Sequence, residues 1–191
     1  QDYTERGIGT YNRGAFEKIL TADIENEKHF SVFAVELDGM QYLSETLGVE
    51  SANGILKQFG EFITEAAGKR KVFYLSGSRF AVVSGSRREP WDELADTIRV
   101  RCGQPFYAES VPLTLTALMC VADYPEDAVH LADIEALMDI GLEDAAACSD
   151  GEIVFADVSM LEKHRREGRI IQMMKTALQE NQFAVFYQPI F

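Results

Sequence analysis

Two short β-rich runs, residues 71–75 and 80–84, flank Ser76, Gly77 and Ser78. Aromatic and β-branched residues on either side of a small glycine-containing tip specify a hairpin. The tip is small and polar, so nothing in it requires burial, and its backbone N–H groups can face a ligand. A second run, Phe30–Leu37, is apolar enough and long enough for a buried strand. It leads into Glu36, Leu37, Asp38 and Gly39, and carboxylates two apart on an extended chain point to the same side of a sheet. In open α/β architectures that edge is a common ligand site.

The rest of the chain supplies layers for these strands. Asn12 can cap a helix whose Ala15, Phe16, Ile19 and Leu20 share a face. Residues 51–67 are amphipathic through Ile55, Leu56, Phe59, Phe62 and Ile63, and Gly68 stops the run. Arg87 to Pro90 form a polar turn, after which residues 91–101 place Trp91, Leu94, Ala95 and Ile98 inward. Residues 111–122 read as one long apolar strand, followed by an acidic turn with Asp123, Glu126 and Asp127. A helix is expected over 131–147 and a last short strand over 153–157. Beyond it the spacing predicts a basic linker helix at 158–169, a second short helix at 170–179 and a β-rich run to residue 191.

Composition narrows the partners. A net charge of −13 over 191 residues argues against binding nucleic acid or an anionic membrane through bulk charge. Cys102, Cys120 and Cys148 are far apart and odd in number, which suits burial in a reducing compartment rather than disulfides or zinc. His29, His130 and His164 have no metal-ligand spacing. No apolar run reaches the roughly 18 residues of a spanning helix. A cytoplasmic protein, or the cytoplasmic part of a larger sensor protein, is expected.

The hairpin tip Ser76, Gly77, Ser78, Arg79 and Phe80 resembles that of the GGDEF (diguanylate cyclase) family, where two glycines and two acidic residues precede the phenylalanine. One glycine and the phenylalanine are kept, and both acidic positions are lost. The pair Asn12 and Arg13, with Phe16 three residues on, resembles the family's opening signature. The resemblance implies an α/β (α+β) fold with a nucleotide-cyclase-like, mostly antiparallel central sheet flanked by helices, over residues 1–157. Family members bind Mg²⁺ at positions matched here by Glu36 and Arg79, so no intact catalytic residue and no metal site is expected, Glu36 and Asp38 being vestigial. Glutamate can ligate a hard cation, whereas arginine offers no oxygen and would repel the ion or pair with Glu36 or Asp38. Asn53, Gly77 and Ser44 are the vestigial nucleotide-binding positions. The family's phosphate-gripping cations fall on Gln41, Ala146 and Asp150, and its product-inhibition arginine and aspartate on Ala67 and Arg70.

The residues Tyr187, Gln188, Pro189 and Ile190 resemble the first strand of the EAL family, whose domains hydrolyse cyclic di-GMP. This implies a GGDEF–EAL protein in which residues 158–180 form a helical linker and 181–191 open the second domain. The function expected is a catalytically inactive GGDEF domain that regulates its attached EAL domain, with a homodimer as a further partner and no bound cofactor. The alternative is a GTP-binding sensor, under which GTP and Mg²⁺ would bind; an active cyclase ranks last.

Overall fold

The computed structural model describes residues 9–184 except 88, 149 and 150. Within them Asn12 caps α1 (Arg13–Glu25), its side-chain oxygen accepting from the Ala15 amide at 3.0 Å. Strand β1 (Phe30–Leu37) follows, then α2 (Met40–Leu47) and α3 (Val49–Ala67). The hairpin is β2 (Lys71–Ser76) and β3 (Arg79–Ser84), so its turn is tighter than the sequence suggests, with only Gly77 and Ser78 outside the strands. Helix α4 (Asp92–Cys102), the small strands β4 (Phe106–Ala108) and β5 (Val111–Leu113), and β6 (Ala117–Tyr124) come next. The chain continues through α5 (Leu131–Cys148), β7 (Ile153–Phe155) and α6 (Val158–Gln179).

The main sheet runs β2-β3-β1-β6-β7. Its neighbours are antiparallel except β6 and β7. Central β1 and β6 are buried on both faces, and side-chain alternation divides the core in two. Phe33, Val35, Phe80 and Val82 pack with Ile55 and Phe59 of α3 and Ile98 of α4. Val32, Ala34, Phe73 and Ala81 pack with Phe16 and Leu20 of α1 and Ile134 and Leu137 of α5. Each Val, Leu, Ile or Phe among them contributes roughly 1.5–3 kcal/mol when fully buried. One thiol lies in each layer: Cys102 on the α4 side and Cys120 on the α5 side. Gly141 brings α5 close to β6, since a Cβ there would stand 2.7 Å from the Cβ of Cys120.

Three expectations are corrected. The run 111–122 is not one strand: Pro112 lacks the N–H an interior strand must donate. Residues 111–113 instead pair with β4, a strand not expected from the local pattern, and β6 begins only at Ala117. The last strand stops at Phe155, because Asp157 turns away to cap α6, accepting from the Ser159 and Met160 amides at 2.8 and 3.1 Å. Residues 158–179 form one helix of 22 residues rather than two. Gly168 costs a helix only about 1 kcal/mol and does not break it. The strand expected over 181–191 falls largely on residues 185–191, outside the described residues, as does Asp150.

Candidate functional site

Where β1 ends, Gly39 takes a left-handed conformation (φ 77°) that swings the chain into α2. Gly77 (φ 58°) does the same for the hairpin turn. The tip is tied down by Tyr74, whose hydroxyl donates to the Gly77 carbonyl at 2.9 Å, and by the Leu37 amide, which donates to the Ser78 carbonyl at 3.1 Å. Between β1, α2, the first turns of α3 and this tip lies an open cavity of about 880 Å³.

Eight of the nine residues singled out from sequence line it: Glu36, Asp38, Ser44, Asn53, Ser76, Gly77, Ser78 and Arg79. Phe80 does not. It is fully buried, its ring 5.3 Å from that of Phe59 and edge-on to it, so it anchors the hairpin to α3 and takes no part in the cavity.

Charge in the cavity is dominated by one contact. Glu36 and Arg79 are register partners on β1 and β3, and Arg79 Nε donates to Glu36 Oε2 at 2.9 Å. The far side of the guanidinium bonds Asp139 on α5. Burial pulls the Arg79 pKa down and is the largest single influence. The hydrogen bonds and attraction of Asp139 and Glu36 outweigh it and hold the guanidinium above its ordinary value. Asp38 is exposed and accepts from the Gly39 amide at 2.8 Å. Gln41 donates to Glu45 at 3.1 Å. Arg79 is thus the cation of the cavity lining, and two carboxylates already hold it. Asp139 was missed in the sequence because it lies 60 residues from Arg79 with no local pattern joining them.

At the opposite end of the sheet the positions read as lost feedback contacts have another use. Ala67 is buried. Arg70 donates through Nε to Glu89 at 2.8 Å and lies over the Trp91 ring, 5.3 Å from its centroid. Ser84 donates to the second oxygen of Glu89, and Trp91 Nε1 donates to Ser31 Oγ at 2.8 Å. Burial pushes Glu89 up, but the bonds from Ser84 and Arg70 prevail and keep its carboxyl below the usual range. Arg13 links α1 to α5, donating to Glu17 and Glu135 at 2.7 Å.

Among the described residues no group of three or more His, Cys, Asp or Glu side chains is placed to hold a metal ion. No helix among them is long and apolar enough to cross a membrane.

Known proteins give this geometry a setting. The cyclic di-GMP phosphodiesterase NbdA of Pseudomonas aeruginosa is 23% identical over 188 residues, covering 95% of this chain and 24% of that protein. The bifunctional diguanylate cyclase/cyclic di-GMP phosphodiesterase MucR of the same organism is 22% identical over 176 residues, 91% of this chain and 26% of MucR. The chain therefore spans about a quarter of the length of these curated relatives. Among solved structures, the GGDEF domain of TpbB (YfiN) from Pseudomonas aeruginosa superposes with a TM-score of 0.73 at 19% identity, covering 85% of this chain and 99% of that one. The pattern of the family described as diguanylate cyclase, GGDEF domain, matches residues 9–148, and the chain belongs to that family.

Proposed function

We propose that this domain makes no cyclic di-GMP and serves as a regulatory or interaction module of a larger bacterial cyclic di-GMP signalling protein, acting on an attached EAL phosphodiesterase. The observation that supports this reading is the Arg79 clamp. A divalent cation at this edge needs oxygen ligands from β1 and from the hairpin tip. The tip position offers a guanidinium instead, and that guanidinium already occupies Glu36. The donor set does not fit Mg²⁺. A triphosphate meets the same obstacle, because the one cation that lines the cavity among the described residues is neutralised by Glu36 and Asp139 while Asp38 and Glu45 remain. Each charge-assisted phosphate contact that is missing forgoes about 1.5–3 kcal/mol.

The test is incubation of the purified chain with GTP and Mg²⁺, followed by chromatography for cyclic di-GMP. No product is expected; its formation would overturn the reading. Arg79→Glu is then titrated with Mg²⁺ and GTP in a calorimeter. Binding gained only in that variant assigns the loss to the hairpin tip.

One observation favours a second reading, a GTP-binding sensor that controls the EAL domain. Asn53, Ser44 and Gly77, which come from three different segments, line one cavity. Binding of GTP to the unaltered chain at about 100 μM or tighter, near −5.5 kcal/mol, would promote this reading over the first.

A further inference from the structure

Helix α6 is used on one side only. Its first turns dock on α5 through Leu161, which is buried, and through Arg165, which donates to the buried Asp133 at 2.6 Å. From Glu162 to Gln179 every residue but Ala177 is exposed. Lys163, Arg166, Ile170, Met174 and Ala177 recur at three- and four-residue steps and so share one face. At about 100° per residue that face lies roughly opposite Leu161. The helix carries five basic side chains against two acidic ones, in a chain of net charge −13. Lys163, Arg166 and Arg169 make no ion pair among the described residues.

The cavity described above presents the complement. Asp38 and Glu45 line it, and Glu50 stands exposed in the first turn of α3. Two large apolar side chains of its lining, Tyr42 and Val49, are 70% and 64% exposed. An acidic groove with exposed apolar side chains suits a helix that is basic at one end of a face and apolar along the rest. The α6 of the same chain is anchored to α5, whereas the cavity is built on α2 and α3 across the sheet.

We infer that the cavity receives the outward face of α6 from a second copy of this chain, so that two copies exchange helices about a two-fold axis. Lys163 and Arg166 meet Asp38 and Glu45, and Ile170 and Met174 cover Tyr42 and Val49. A closed exchange uses each groove and each helix once. The strongly acidic body opposes the other natural target of a basic amphipathic helix, an anionic lipid surface. This inference rests on the reading of the cavity as free of nucleotide.

The experiment is sedimentation of the whole chain without nucleotide, from about 1 μM to about 1 mM, at about 0.1 M and about 1 M salt. A dimer is expected whose dissociation constant rises about tenfold or more at the higher salt, where the screening length falls to ~3 Å. Two charge-reversed variants follow: Asp38→Lys with Glu45→Lys, and Lys163→Glu with Arg166→Glu. Each alone is expected to sediment as a monomer. Mixed in equal amounts they are expected to dimerise, since each acidic helix then finds a basic groove and each basic helix an acidic one. Recovery in the mixture also excludes misfolding. A wild-type monomer throughout, a dimer indifferent to both variants, a mixture that stays monomeric, or uptake by phosphatidylserine vesicles without dimerisation overturns the inference. GTP titration of the helix variant, whose cavity is unaltered, tests the nucleotide reading separately.

Discussion

Arg70 and Arg79 each meet a glutamate beside the same sheet, at opposite ends of the hairpin. Around Arg70 the pair is closed off: the Glu89 side chain is only 8% exposed, Ser84 takes its other oxygen, and Trp91 lies beneath the guanidinium. Around Arg79 the pair is open. Glu36 is 31% exposed, and the second partner, Asp139, is 67% exposed. The same chemistry therefore has two consequences. A buried carboxylate that loses its arginine, as Glu89 would, is left desolvated, so the Arg70 pair fixes the fold. A part-exposed carboxylate that loses its arginine, as Glu36 or Asp139 would, is rehydrated, so the Arg79 pair chiefly decides what the cavity accepts.

The largest test of this contrast is Trp91→Ala, which removes the ring beneath Arg70 and the bond to Ser31. A loss of about 3–5 kcal/mol is expected in urea unfolding. Glu89→Gln should cost less, roughly 1–3 kcal/mol, because it leaves a charged donor facing a neutral acceptor. Its pH dependence has a definite sign. The Glu89 carboxyl titrates lower folded than unfolded, so its stabilisation is present above about pH 4.3 and is lost as pH falls through the folded value. Wild type and Glu89→Gln should therefore converge in acid, and a gap that persists at pH 2 would show that the charge is not what matters.

Arg79→Ala is expected to change stability by less than about 1 kcal/mol. A loss as large as that of Glu89→Gln would erase the distinction between the two pairs. The smallest effect concerns a carboxylate that no arginine pairs with among the described residues. Burial raises the Asp127 pKa, the hydrogen bond with the Asp123 backbone opposes the rise, and repulsion from Asp123, Asp157 and Glu126 adds to it. A carboxyl raised on folding weighs against the fold as pH rises through its unfolded value. Asp127→Asn should then raise the melting temperature slightly at pH 7 and leave it unchanged below pH ~3.9, as scanning calorimetry can show.

Much of this architecture is legible locally. Strand β1 is a run of eight residues, six of them apolar, and its limits fall where the sequence puts them. Asn12 declares the start of α1 through a side chain that reaches only three residues on. The hairpin is written in its glycine. What escaped is what depends on distant partners. The break at Pro112 is intelligible only once β6 is known to be paired on both sides, and β4 exists because residues 111–113 need a partner elsewhere. Phe80 shares a motif with cavity residues, yet alternation along β3 sends it into the core. The pairing of Arg79 with Glu36 was among the expectations, but its second partner came from a helix no local pattern joins to it.

The three cysteines make a clock out of these layers. Cys148 is exposed and should react at once with a thiol reagent. Cys102 and Cys120 are sealed, and burial pushes their thiols up to about 11 and about 12. Neither can be alkylated until its layer parts from the sheet, since reaction requires an accessible thiolate. Timed alkylation read by mass spectrometry would thus record the opening of the α4 side and of the α5 side as two separate rates, with no probe added to the chain.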